Sequence, residues 1–255
     1  MADLNVAQQL SRHEVHAWAV NLDGPSASLQ EVSAALSPDE RARAESFRFE
    51  HLKTRFCVSR GLLRFFLGAY LTTPPSDIQF SYGRYGKPSV ARSAGFQFNV
   101  AHSENVAVYA FAFGCELGVD VERIRNMRYI DAIARQFFCS EEAADLHSLE
   151  LRERLDAFFA CWTRKEAYIK ATGEGLSASL SNFRVALRPS EAPSFIHISG
   201  STSEAESWSL YTLRPNETCV GALAFRGRRE LRLSSYQPLE SVVARLRPSP
   251  GRPAL

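Results

Sequence analysis

Lysine is scarce in this chain: Lys53, Lys87, Lys165 and Lys170 stand against twenty-six arginines, together the 30 basic residues. Genome base composition can produce that skew, yet three of the four lysines fall inside motifs described below. The five cysteines (Cys57, Cys115, Cys139, Cys161, Cys219) are odd in number, widely spaced and form no C-x-x-C. That spacing speaks against a disulfide framework. Four of them sit in apolar or helical context and read as small core residues of a protein in a reducing cytoplasm. Long apolar runs are missing too. The longest, Val106 to Phe113, falls far short of the ~20 residues of a spanning helix. Met1 to Asn5 leads into a polar stretch with no basic-then-apolar opening, so no signal peptide is expected. Neither charge sign dominates: the formal charge is +2, too small to argue for nucleic acid or a membrane surface. The arginines alternate with glutamates rather than forming a stripe, which ranks nucleic-acid binding last.

What is present is ordinary globular material, 255 residues that are 45% hydrophobic and 23% charged. This suffices for one large domain or two small ones sharing a core. His13 to Leu22 reads as an opening strand. Ser37-Pro38-Asp39-Glu40 is a helix start, with Ser37 as N-cap and Glu40 completing a capping box. Leu62, Leu63, Phe66, Leu67 and Tyr70 mark a core-facing helix over Val58 to Tyr70. Strands are expected over Ile78–Tyr82, Gly95–Ala101, Val106–Phe113 and Leu117–Glu122, with a two-glycine turn at Gly83–Pro88. Helices follow at Tyr129–Phe138 and Arg154–Ala171, then strands at Phe183–Leu187, Ser194–Ile198, Trp208–Leu213, Val220–Phe225 and Leu231–Tyr236. Arg247 to Leu255, with three prolines, reads as disordered. The order strand, helices, antiparallel strands recurs on either side of about residue 116 without a close sequence repeat. The class is α+β with two intimately packed lobes: 1–115, 116–240, and a tail over 241–255.

Two segments concentrate carboxylates. In Gly118-Val119-Asp120-Val121-Glu122, residues i and i+2 of a strand share a face about 6–7 Å apart, so Asp120 and Glu122 project together. They repel unless something positive lies between them; an ordinary solvent-facing edge would carry the same pair. In Trp162-Thr163-Arg164-Lys165-Glu166-Ala167-Tyr168-Ile169-Lys170, Glu166 lies on the apolar stripe of Leu155, Phe158 or Phe159, Trp162 and Ile169. It needs a partner there. An ion pair with an arginine or with Lys170, its i+4 neighbour, would serve. Alternatively Glu166 joins Asp120 and Glu122 as the third oxygen ligand of a hard cation such as Mg2+, with Lys165 and Lys170 placing charge beside phosphates. His102, at the end of the alternating strand Gly95–Ala101, and Lys87, in a turn, carry little weight alone.

Taken together and in this order, the segments resemble the 4'-phosphopantetheinyl transferase superfamily. GVDVE at 118–122 is similar to its G-[IV]-D-[IV]-E motif, and WTRKEAYIK at 162–170 to its W-x-x-K-E-[AS]-x-x-K motif. FNVAHS at 98–103 resembles F-N-[IV]-S-H-S, and YGKP at 85–88 the G-K-P turn that precedes it. SPDERARAESF and SRGLLR have the look of the longer, two-lobed, surfactin-synthetase-activating type. The resemblance implies two α+β lobes with the active site in the cleft between them, and a monomer. It also implies transfer of the 4'-phosphopantetheine arm of coenzyme A to a serine of an apo acyl or peptidyl carrier protein, with release of 3',5'-ADP. Residue by residue, Asp120, Glu122 and Glu166 match Mg2+ ligands. Lys170 matches a lysine on the pyrophosphate, and Lys165 precedes the metal glutamate. His102 matches a histidine on a coenzyme A phosphate, and Lys87 a lysine near the adenine nucleotide. Arg43 and Arg55 fall where basic residues hold the 3'-phosphate. Glu166 and Glu142 are both candidates for the base that removes the serine proton. Arg123, Arg125, Arg128 and Tyr129 could dock an acidic carrier.

The chain departs from the pattern at Ala101, where the family has serine, and at Cys139, also often serine. Two other functions fit parts of the pattern: a non-catalytic coenzyme A- or carrier-binding module, and a Mg2+-dependent nucleotide phosphohydrolase. The intact carboxylate trio argues against the first, and the FNVAHS and GKP segments against the second.

Overall fold

The computed structural model describes residues 10–247 apart from 92, 94, 176–178, 189 and 190. In chain order the elements are β1 (Glu14–Asn21), α1 (Ser26–Ala34), α2 (Pro38–Glu45), α3 (Glu50–Leu71), β2 (Phe80–Tyr82), β3 (Pro88–Val90), β4 (Phe96–Ser103), β5 (Val106–Phe113) and β6 (Leu117–Arg123). There follow α4 (Ile130–Phe137), α5 (Ser140–Ser148), α6 (Leu151–Thr172), β7 (Phe183–Val185), β8 (Phe195–Ile198), α7 (Thr202–Glu206), β9 (Trp208–Leu213), β10 (Cys219–Arg226), β11 (Glu230–Gln237) and α8 (Leu239–Leu246). Two sheets organise them, one in the order β11-β1-β5-β4 and one in the order β6-β10-β9. β2–β3 and β7–β8 are separate hairpins.

The alternation of large and small residues along β5 shows why three layers of core form. Its Ala107, Tyr109 and Phe111 face one way, into a cluster with Leu62, Phe66 and Leu67 of α3 and Val242, Val243 and Leu246 of α8. Its Val106, Val108, Ala110 and Ala112 face the other way, where they meet Val119 and Val121 of β6 and Leu223 and Phe225 of β10. Small side chains on that inner face let the two sheets approach. A third cluster, beyond the second sheet, packs Phe158, Phe159 and Ile169 of α6 against Val220, Ala222 and Ala224 of β10.

The mixed α+β class stands, and β9 occupies the expected span, but the division of the chain needs redrawing. The break at 115/116 falls between β5 and β6. The chain then returns: β11 pairs in parallel with β1, Glu14 opposite Glu230 and Val15 opposite Leu231. α8 buries Leu239, Val242, Val243 and Leu246 in the first core. Residues 230–246 therefore belong with the first sheet, not with a lobe ending at 240 or a tail starting at 241. The disorder expected over 247–255 lies, from residue 248 on, outside the described residues. α1, α5, α7 and α8 have no counterpart among the elements expected from the sequence.

A buried polar network sits beneath α3. Tyr70 Oη is 3.0 Å from Trp18 Nε1 and 2.8 Å from His16 Nδ1. The indole N–H can only donate, so the phenol oxygen accepts from Trp18, and it shares a second hydrogen bond with His16. His16 Nε2 lies 3.8 Å from Glu14 on the other side of the ring. Burial holds the His16 imidazole below the ordinary histidine value.

Candidate active site

β6 and α6 meet backbone to backbone. A Cβ on Gly118 would lie 2.1 Å from the Ala167 carbonyl oxygen and 2.3 Å from the Ala171 amide nitrogen, so only glycine permits the contact. Asp120 and Glu122, two and four residues on, share that face of the strand. The close approach is what brings them beside Glu166 and Lys170 of the helix. β4 flanks β6 on its other side, stitched to it by side chains. Asn99 Oδ1 accepts from the Val119 N–H at 2.9 Å, and Ser103 Oγ accepts from the Arg123 N–H at 3.0 Å while donating to Glu122 Oε2 at 3.1 Å. Neither role follows from the motifs. The signal available in the sequence is a run of polar side chains, Gln97, Asn99 and Ser103, on one face of a strand whose other face carries Phe96, Phe98 and Val100.

A cleft of about 710 Å³ opens along this seam, lined by Tyr85, Asn99, Phe137, Trp162, Glu166 and Lys170 among others. At its edge Lys170 Nζ donates to Asp120 Oδ1 at 2.6 Å. Asp120 is 6% exposed, and its second oxygen, Oδ2, is buried with no hydrogen-bond partner. Burial pushes the Asp120 carboxyl up to about 6; Lys170 works against the rise, while Glu166 and Glu122 add to it. Glu166 is raised by its own half-burial and by Glu122, again against Lys170. His102 is pushed below the usual histidine value by lost solvation, then by the cations Lys170 and Arg55, with Glu122 opposing. Asp120, Glu122, Glu166, Lys170, His102 and Arg55 thus form one electrostatically connected group.

They are not a finished metal site. Among the described residues no three His, Cys, Asp or Glu side chains lie close enough to hold a cation as they stand. The donor set nevertheless suits one. Asp120, raised by burial and by its two acidic neighbours and carrying an orphaned buried oxygen, together with Glu122 and Glu166 forms an oxygen-only set of the kind Mg2+ uses together with phosphate oxygens.

Other candidates sit differently from the sequence expectation. Lys165 and Glu142 are both fully buried and face each other, Nζ to Oε2 at 2.7 Å. Neither faces the cleft, so a coenzyme A contact for Lys165 and a proton-abstracting role for Glu142 do not fit their surroundings. Lys87 lines the cleft, but its ammonium donates to the carbonyls of Leu117 at 3.0 Å and Ala171 at 2.7 Å. It ties the Gly83–Pro88 turn to the start of β6 and the end of α6, and burial pushes it down to about 8. Arg43 is exposed on α2, its guanidinium 5.5 Å from the Phe56 ring centre. Arg55 lies 3.7 Å from Asp23. The SPDE and SRGLLR segments meet in a structural knot, with Glu40 accepting from Arg60 at 2.5 Å and from Arg64 at 2.6 Å.

Outside the cleft mouth, Arg123, Arg125, Arg128 and Tyr129 form a surface in which Tyr129 is 72% exposed. Arg125 lies 3.4 Å from Glu122, which joins this surface to the carboxylates.

Residues 116–223 match the model of the 4'-phosphopantetheinyl transferase superfamily, and residues 24–113 that of the 4'-phosphopantetheinyl transferase N-terminal region. The 4'-phosphopantetheinyl transferase HetI of Nostoc sp. is 39% identical over 217 residues, covering 84% of this chain and 88% of its own. The 4'-phosphopantetheinyl transferase Sfp of Bacillus subtilis is 32% identical over 60% of this chain and 66% of its own. The holo-[acyl-carrier-protein] synthase of Thermotoga maritima overlays 45% of this chain and 64% of its own at 16% identity, with a TM-score of 0.33.

Proposed function

The chain belongs to the 4'-phosphopantetheinyl transferase superfamily, and from that premise we propose that the cleft beside Asp120 is where it transfers the 4'-phosphopantetheine arm of coenzyme A to a serine of an apo carrier protein. The serine oxygen forms a bond to the β-phosphorus of coenzyme A. The bond from that phosphorus to the bridging oxygen breaks, and 3',5'-ADP leaves. The observation that carries this reading is the Lys170–Asp120 pair at the cleft edge, with Asp120 Oδ2 buried and unpartnered.

Asp120, Glu122 and Glu166 would hold Mg2+, which when bound offsets the pyrophosphate charge. Lys170 is the cleft cation able to turn from Asp120 to the leaving phosphate. His102, which lies in the field of both Lys170 and Arg55, would take the remaining phosphate charge together with Arg55. Guanidinium suits that task because it donates two parallel hydrogen bonds. Glu166 is the base candidate that faces the cleft. Arg125, Arg128 and Tyr129 would meet the acidic surface of the carrier. A reducing compartment such as the cytoplasm suits the five free cysteines, and action as a monomer is part of the same proposal.

The test is mass spectrometry of a panel of apo carrier proteins incubated with the chain, coenzyme A and Mg2+. One carrier is expected to gain the mass of one phosphopantetheine arm, and EDTA should abolish the gain. Coenzyme A cleaved without any carrier would point to hydrolysis; coenzyme A bound but never transferred would leave a binding module.

A further inference from the structure

Lys165 and Glu166 are neighbours on α6, yet they point to different worlds. Glu166 lines the cleft; Lys165 has no exposed surface. Lys165 Nζ donates to the Leu180 carbonyl at 2.7 Å and the Phe183 carbonyl at 2.5 Å, and lies in an ion pair with Glu142 Oε2 at 2.7 Å. The Phe183 ring lies 4.3 Å from the ammonium. With its side chain fully buried and its charge paired, the ammonium presents nothing to a substrate. Glu142 is equally committed. Its Oε2 accepts from the Cys139 N–H at 3.0 Å, as the far half of a capping box at the start of α5, and its Oε1 accepts from the Val185 N–H at 2.8 Å.

The network therefore ties three things together: the start of α5, the middle of α6, and the segment from Leu180 to Val185. The last is part of the cleft, since Ser179 and Leu180 line it along with Glu166 and Lys170. We propose that Glu142 and Lys165 are a positioning pair, a sealed ion pair that sets the distance between the Leu180 wall and the Glu166 face of α6 without touching substrate. The inference rests on reading the cleft as the coenzyme A site. It gives a role to a fully buried lysine and a fully buried carboxylate that the chemistry above does not use. A displacement of about 1 Å in such a wall is enough to cost on the order of 100-fold in rate.

Three variants test it: Lys165→Met, Glu142→Gln, and the two combined. Each single change strands a buried group, so both should lose thermal stability and turnover together. The double variant removes both charges at once, and the amide introduced at position 142 retains an oxygen for the Val185 N–H. It should regain most of the lost melting temperature and keep kcat within about tenfold of the parent. Its coenzyme A KM should be raised, and the pH limbs of its kcat profile should be those of the parent. A double variant that folds normally but is as inactive as Glu142→Gln, or that loses one limb of the profile, would make Glu142 the base and overturn the proposal. So would a double variant no more stable than the singles. Asp120→Asn is assayed alongside. Full turnover there would overturn the cleft reading and the proposal with it, whereas failure confined to the pair variants would leave the cleft reading intact.

Discussion

Along α6, two lysines five residues apart each hold a carboxylate at nearly the same distance: Lys165 with Glu142 at 2.7 Å, and Lys170 with Asp120 at 2.6 Å. By bond length they are twins, but their surroundings differ. In the first pair both side chains are 0% exposed, and the carboxylate's two oxygens together take two backbone N–H groups besides the ammonium. In the second, the lysine side chain is 32% exposed and the aspartate 9%, and one aspartate oxygen is left with no partner. A buried carboxylate with both oxygens partnered has been built to stay where it is. A buried carboxylate with a whole oxygen unpartnered is held at a cost, and in a cleft that cost points to a ligand. The contrast separates architecture from chemistry more sharply than the motif does, because the motif places both lysines in one string of nine residues.

The largest test of this contrast is Asp120→Asn. It should cut transfer by roughly 100- to 1000-fold, the range for removing one preorganised charge from an active site. Thermal melting should stay close to that of the parent, because Lys170 can hydrate when released. Lost stability with transfer retained would make the open pair architectural after all. Next is Gly118→Ala. It forces a methyl into the α6 backbone and should destabilise by about 1–3 kcal/mol, read as a lower denaturation midpoint, with Asp120 and Glu122 displaced from the helix. Normal stability and activity would mean that the close contact of β6 and α6 does not set the site.

A sealed polar group should register as stability and not as activity, and His16 gives a pH test. Its folded pKa is depressed by burial, so the folded state resists the proton while the unfolded chain takes it up. Its contribution is intact above the unfolded histidine value, about 6.5, and is lost as pH falls from there toward the folded value. Melting temperature should therefore drop on acidification below neutrality, and the drop should shrink in His16→Gln. The smallest effect belongs to the surface. Reversing Arg125 and Arg128 to Glu should raise the KM for the carrier several-fold, with a marked salt dependence, and leave coenzyme A binding unchanged. A change confined to coenzyme A would move those arginines into the phosphate site.

What can be read from the sequence follows periodicity. Asp120 and Glu122 share one strand face because the strand period is two, and β6 bears this out. The helix is less legible. The sequence puts Glu166 on the apolar stripe of α6, but α6 is buried on several faces at once, between β6, β10 and the Leu180–Val185 segment. A single stripe cannot then be told from its neighbours. The residue sunk in the interior is Lys165, while Glu166 is half-buried in the cleft. α5 escapes notice because its capping box begins with Cys139 in place of the usual hydroxyl or amide. β11 is visible as a local segment and α8 is not, but the place of both beside the first sheet rests on a pairing of β11 with β1 across more than 200 residues, which no local pattern encodes.

The near-absence of lysine has an experimental consequence. With arginine supplying almost all of the surface cation, an amine-directed reagent such as an acylating label finds few targets on this protein. Lys165 is sealed, and Lys87 has its ammonium bonded to two backbone carbonyls. Lys53 and Lys170, with side chains 27% and 32% exposed, remain for the label to reach. One of these lies on α3 away from the cleft and the other at its edge. Lysine labelling is thus a nearly background-free footprint, in which Lys53 reports total reagent and Lys170 reports whether the cleft is filled.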